Sequence, residues 1–80
     1  MATQSYIFHV EQAVLDETLT WDLAEQAVDA FRYERDFNGG SPHEENRDAW
    51  ATLWLNVRQK IERFPDWLGL YRALEHYFGS

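Results

Sequence analysis

A chain of 80 residues with no cysteine makes one domain, 1–80, with a small core and neither disulfides nor thiolate metal ligands to staple it. Its net charge is −7, and residues 1–31 hold six acids and no Lys or Arg against eight acids and seven bases in residues 32–80. Direct binding of DNA, RNA or an anionic membrane is therefore not expected, because phosphate recognition needs clustered cations.

Four Trp, four Tyr and five Phe supply the missing staples. Each large side chain fully buried contributes about 1.5–3 kcal/mol. The N-terminus, Met1-Ala2-Thr3-Gln4-Ser5, has no basic residue, and the apolar run after it stops at His9. It does not read as a signal peptide. No stretch approaches the ~18–20 apolar residues that span a bilayer. A cytoplasmic location is expected, and the lack of Cys fits a reducing compartment.

Residues 4–17 support two readings. Ile7, Val10 and Val14 fit one face of a helix, whereas Tyr6, Phe8 and Val10 alternate like a strand that a hairpin would pair with residues 18–21. Helix is favoured, because the rest of the chain offers no further strand partner. Residues 16–20 read as a short turn. Residues 21–37 form a second helix, with Thr20 as N-cap and Asp22 and Glu25 near its positive end. Leu23, Ala24, Ala27, Val28 and Phe31 make its core face. Glu34 and Arg35 fall on the same arc, so the last turn should project beyond the core or carry an ion pair there. Asn38-Gly39-Gly40 ends the helix.

Residues 41–64 read as the longest helix. Trp50, Leu53, Trp54, Val57, Ile61 and Phe64 recur at helical spacing, and Ser41-Pro42-His43-Glu44 has the form of a capping box with Pro at the first helical position. Arg58, Lys60 and Arg63 lie near its negative end, where they also could pair with acids of the N-terminal part. Pro65 ends it. Residues 65–78 form the last helix, with Trp67, Leu70, Tyr71, Leu74 and Phe78 as its stripe and Gly69 beside it, small enough for a close approach. The expected fold is all-α, a small bundle of about four helices; the alternative is α+β, with an N-terminal β-hairpin packed on three helices.

Catalytic chemistry finds little support. His9, His43 and His76 have no metal-site spacing, so no metal and no cofactor is expected. Ser5, Ser41 and Ser80 sit near a terminus, at a cap and at the end, with no nucleophile elbow and no phosphate loop.

The acids form the better lead. Asp22, Glu25, Asp29 and Asp36 fall within roughly a 60° arc opposite the apolar face of the second helix. Their axial spacings of about 4.5, 6 and 10.5 Å include values comparable to the spacing of phosphates along a nucleic-acid strand. Tyr33 on this helix adds a hydrogen-bonding group. Glu11, Asp16 and Glu17 extend the acidic, base-free segment. A charged outer face is ordinarily just solvated, but an ordinary one mixes signs. Trp21, Leu55 and Leu68 lie off the core stripes and mark an apolar interface if they stay exposed.

The expected function is that of a non-enzymatic acidic protein. It would inhibit or regulate a larger, basic, nucleic-acid-binding partner by occlusion or phosphate mimicry. In size and acidity the chain resembles the small inhibitors that phages and mobile elements deploy against restriction, CRISPR or transcription machinery, a resemblance of type that no motif carries. The alternative is a small helical adaptor or homodimer using the exposed apolar residues.

Overall fold

Four α-helices form where the apolar spacing places them: α1 (Gln4–Leu15), α2 (Trp21–Phe37), α3 (Arg47–Lys60) and α4 (Leu68–Phe78). The computed structural model describes residues 3–79. Met1 and Ala2 of the N-terminal run and the candidate hydroxyl of Ser80 lie outside the described residues. No strand occurs among those described, so the bundle replaces the hairpin alternative. Ile7, Val10 and Val14 are fully buried along one side of α1. A strand would have sent Ile7 and Val10 to opposite faces. Thr20, a candidate for the hairpin's second strand, instead caps α2, its Oγ1 accepting the Leu23 N–H at 3.2 Å.

Both early helices close in the same way. At the end of α2 the Gly40 amide donates to the Arg35 carbonyl at 2.8 Å, with Gly39 at φ 77°. This is the six-to-one bond of a Schellman close, and a left-handed glycine makes it without strain. At the end of α1 Thr18 donates to the Ala13 carbonyl at 2.8 Å and Glu17 to Val14 at 3.1 Å. There the left-handed position, φ 59°, is taken by Glu17. A side chain in that conformation is strained, so something outside the turn must hold it.

The start of α3 departs from the expected capping box. A single 3-10 turn, Glu44–Asn46, leads into the helix, and Ser41 and Pro42 precede any helical residue. The cap comes from α2. Glu34 is 1 % exposed and directs its carboxylate at the incoming chain. Its Oε2 accepts the His43 backbone N–H at 2.9 Å and the Trp50 indole N–H at 3.0 Å, while Oε1 accepts from the Asn46 side chain at 2.9 Å. A distant carboxylate with three donors displaces the local Ser41–Glu44 arrangement. It also corrects the expected fate of Glu34: the last turn of α2 neither projects past the core nor forms an ion pair through this residue. Arg35 instead lies over the Phe31 ring, 6.0 Å from its centroid.

The long helix expected over residues 41–64 is shorter. After Lys60 it tightens into a 3-10 turn, Ile61–Arg63, and a second such turn, Pro65–Trp67, opens α4. Pro65 starts that turn, where its missing N–H is not needed. Phe64 and Trp67 stack across the corner, with centroids 4.1 Å apart and planes 6° from parallel. The Trp67 indole then donates to the Leu19 carbonyl at 2.9 Å, tying the corner to the α1–α2 turn. No atom lies within 4 Å of a Cβ built on Gly69, so the close approach expected there is not made.

Packing pairs the helices α1 with α3, α2 with α4, and α3 with α4. Gln4 donates to the Glu45 carbonyl, Asn56 donates to Glu11, and Lys60 and Arg63 bind Glu17, so partners rise together and α1 runs parallel to α3. In the same way Trp21 and Glu25 share a cleft with Asp66 and Leu70, while Arg32 and Arg35 share one with Arg72 and His76. So α2 runs parallel to α4. The core between the pairs is aromatic. Phe31 meets Trp50 edge-on at 5.1 Å, and Trp54 stacks on Phe78 at 5.9 Å while its indole donates to Glu75 at 2.8 Å.

Candidate interaction surface

Parallel packing of α2 on α4 decides the surface. Both positive helix ends lie at one end of the shared groove and both negative ends at the other. At the positive end the groove forms a cleft of about 230 Å³ between α2 and the turn that opens α4. Ala24, Val28 and Leu70 are buried along it, and Trp21, Glu25 and Asp66 rise around it. Asp29 and Arg32 complete the wall. The arrangement offers carboxylates above an apolar floor, which is the shape that takes the aliphatic stem and charged head of a Lys or Arg side chain.

The acids expected at a partner surface separate into two groups. Asp22, Glu25, Asp29 and Asp36 remain exposed along α2. Among the described residues Asp22, Glu25 and Asp29 make no ion pair, and Asp36 has only its neighbour Arg35 at 3.6 Å. Glu11, Asp16 and Glu17 are instead occupied within the chain. Glu11 is half-buried and accepts from Asn56 at 3.2 Å. Asp16 accepts from the Gln12 amide at 3.0 Å. Glu17 accepts from Lys60 at 2.8 Å and Arg63 at 2.9 Å, and those two hydrogen bonds hold its carboxyl below the usual carboxylate range. These ion pairs add to the backbone hydrogen bonds that close the left-handed turn at Glu17. Part of the base-free N-terminal segment is thus neutralised by cations 43 and 46 residues away.

Asp29 also acts on α1. Burial pushes the Tyr6 phenol above its ordinary pKa, and the nearby Asp29 carboxylate adds to the shift by disfavouring a second negative charge. Tyr33 is exposed and stacks on Phe37, with centroids 5.5 Å apart. Of the apolar candidates, Trp21 is 54 % exposed and Leu55 47 %, but Leu68 is half-buried and does not join them. The three lie on different helices, Trp21 on α2, Leu55 on α3 and Leu68 on α4.

Two features escaped sequence reasoning. Asp66 belongs to the acidic cleft although it is 41 residues from Glu25, and only helix pairing brings it there. The other is a cationic cleft at the opposite end of the same groove, lined by Arg32, Arg35, Arg72, Ala73 and His76. The sequence signal for it was weak, since its three arginines and His76 come from two separate helices. Among the described residues no group of three His, Cys, Asp or Glu side chains is placed to hold a metal ion. None of the helices among the described residues is long and apolar enough to cross a membrane.

The fold defines a small all-α bundle with a charge-divided groove. No family model matches the chain, and no curated protein or solved structure is significantly similar to it.

Proposed function

We propose that this chain is a non-enzymatic acidic binding protein that occludes the basic, nucleic-acid-binding surface of a larger partner. The face of α2 bearing Asp22, Glu25 and Asp29 makes the contact. What supports the reading is that these three acids stay exposed and, among the described residues, without ion pairs on a well-capped helix, while Glu17 is neutralised internally. The cleft walled by Glu25, Asp29 and Asp66 beside exposed Trp21 fits a basic side chain of such a partner. Carboxylates spaced along a capped helix replace phosphates, and the partner's nucleic acid is excluded. Long-range attraction speeds the encounter and makes it salt-sensitive. This is the mode of action of inhibitors of the phage or mobile-element type, in the cytoplasm of the host.

Capture from a native lysate tests the reading, run at low and high salt with wild type and an Asp22→Lys/Glu25→Lys/Asp29→Lys variant. The expected result is a basic nucleic-acid-binding protein retained by wild type at low salt, released at high salt and not retained by the variant. Retention by the variant at wild-type level overturns it.

A second reading rests on Tyr33 and Phe37, which stack on each other while 55 % and 74 % exposed. Exposed aromatic pairs are enriched at protein interfaces. In that reading the chain is a helical adaptor or a homodimer, and association is insensitive to salt. A strict monomer in sedimentation at high concentration removes the homodimer.

A further inference from the structure

The negative end of the α2–α4 groove carries the opposite charge from the face proposed above. Arg32 and Arg35 from α2 and Arg72 and His76 from α4 line one open cleft of about 420 Å³, with the small, buried Ala73 among them. Part of this has a structural cause. Arg35 and His76 lie in the last turns of their helices, where cations answer the negative dipole end. Arg32 and Arg72 lie further back, five and six residues before the helix ends at Phe37 and Phe78. The dipole effect falls off within the last turn, so it does not account for them. Neither makes an ion pair among the described residues, in a chain with 14 acids and seven bases. Lys60 and Arg63, by contrast, converge on Glu17. Guanidiniums brought to one cleft repel one another, and nothing in the fold requires that repulsion.

We infer that this cleft is a binding site for a multiply charged phosphate oxyanion, a diphosphate moiety either free or carried by a nucleotide. Arg32 and Arg72 supply two positive charges with no ion pair among the described residues, and Arg35, already beside Asp36 at 3.6 Å, supplies a third. Their planar forks of donors match phosphoryl oxygens two at a time. The apolar Ala73 leaves room for the anion to approach both helices. The site shares Arg32 with the wall of the acidic cleft, but it binds a small anion and needs no partner protein, so anion binding and partner capture are read by separate experiments.

The test is titration of the full chain with inorganic pyrophosphate and, separately, with a nucleoside diphosphate, followed by amide chemical shifts and by thermal unfolding at constant ionic strength. Saturable, one-to-one shifts centred on Arg32, Arg72, Ala73 and His76 are expected, with a raised unfolding midpoint. Tighter binding of the nucleoside diphosphate identifies a nucleotide as the source, and equal binding identifies free diphosphate; both support the site. Arg32→Gln and Arg72→Gln each weaken binding by about tenfold to a hundredfold. Each leaves the anion-free protein as stable as wild type or more so, because repulsion is relieved. Arg47→Gln, an exposed cation outside the cleft, leaves binding unchanged. Absence of saturable shifts at millimolar pyrophosphate overturns the inference. So does wild-type affinity in both cleft variants, or an equal loss in Arg47→Gln.

Discussion

Glu34 and Trp50 are joined by a 3.0 Å hydrogen bond from the indole N–H to a carboxylate that is 1 % exposed. The same carboxylate holds the His43 backbone and the Asn46 side chain. One residue of α2 thereby anchors the start of α3 and its largest core side chain. Removing the acceptor leaves three donors with poor alternatives, and unpaired buried donors are costly. Glu34→Ala should destabilise by about 3–5 kcal/mol, a large part of the ~5–15 kcal/mol typical of a domain. Glu34→Gln keeps one acceptor and should lose less, about 1–3 kcal/mol. Urea unfolding followed by Trp fluorescence measures both. A loss below about 1 kcal/mol in Glu34→Ala refutes the anchoring role.

The Glu17 turn carries a pH dependence. Hydrogen bonds from Lys60 and Arg63 lower its folded pKa relative to the unfolded chain. The stability they add is present above the unfolded carboxylate pKa and is lost as pH falls through the lowered folded value. Glu17→Gln should therefore be less stable than wild type at neutral pH and converge with it in acid. Glu17→Gly should be more stable than Glu17→Ala at every pH, because glycine relieves the left-handed φ of 59°. Urea midpoints at neutral and acidic pH check both orders.

At Gly39 the conformation itself is the constraint. Its φ is 77° and no atom lies within 4 Å of an added Cβ. Gly39→Ala should cost about 1–2 kcal/mol through backbone strain alone. An unchanged urea midpoint would mean that the end of α2 re-forms without the left-handed residue.

The acids of α2 should contribute little to folding. Asp22, Glu25 and Asp29 are exposed and make no ion pairs among the described residues. Glu25→Lys and Asp29→Lys should each change stability by no more than about 0.5 kcal/mol. Asp22→Lys, in the first turn of α2, should cost about 0.3–1 kcal/mol through the helix dipole. A larger loss would make this face structural and remove the reason to read its charge as functional.

Tyr6 reports on Asp29. Its phenol titrates above the ordinary value because of burial first and Asp29 second. Asp29→Asn should bring the Tyr6 titration part of the way back down, as read by ultraviolet difference absorbance. The neutral phenol is the form the fold favours, so its contribution is present below the unfolded Tyr pKa and fades as pH rises through the folded one. A titration that does not move separates Tyr6 from Asp29.

What the sequence determined by itself was local. Ile7, Val10 and Val14, the Ala24 to Phe31 face, Trp50 with Leu53 and Val57, and Trp67 with Leu70 and Leu74 are all buried where helical spacing put them. The Thr20 cap and the glycine end of α2 were equally legible, because such signals act over a turn or so of chain. Tertiary structure decided what lies between distant residues. It replaced the Ser41–Glu44 cap with Glu34, drew Glu17 onto Lys60 and Arg63, and paired α2 with α4 in parallel. The physical reason is the same each time. A charged side chain takes whatever partner the packed helices bring within hydrogen-bond reach, and helix pairing is set by the fit of whole apolar faces rather than by neighbouring residues. Hence an imbalance that looked like one acidic segment became a groove with an acidic end and a basic end.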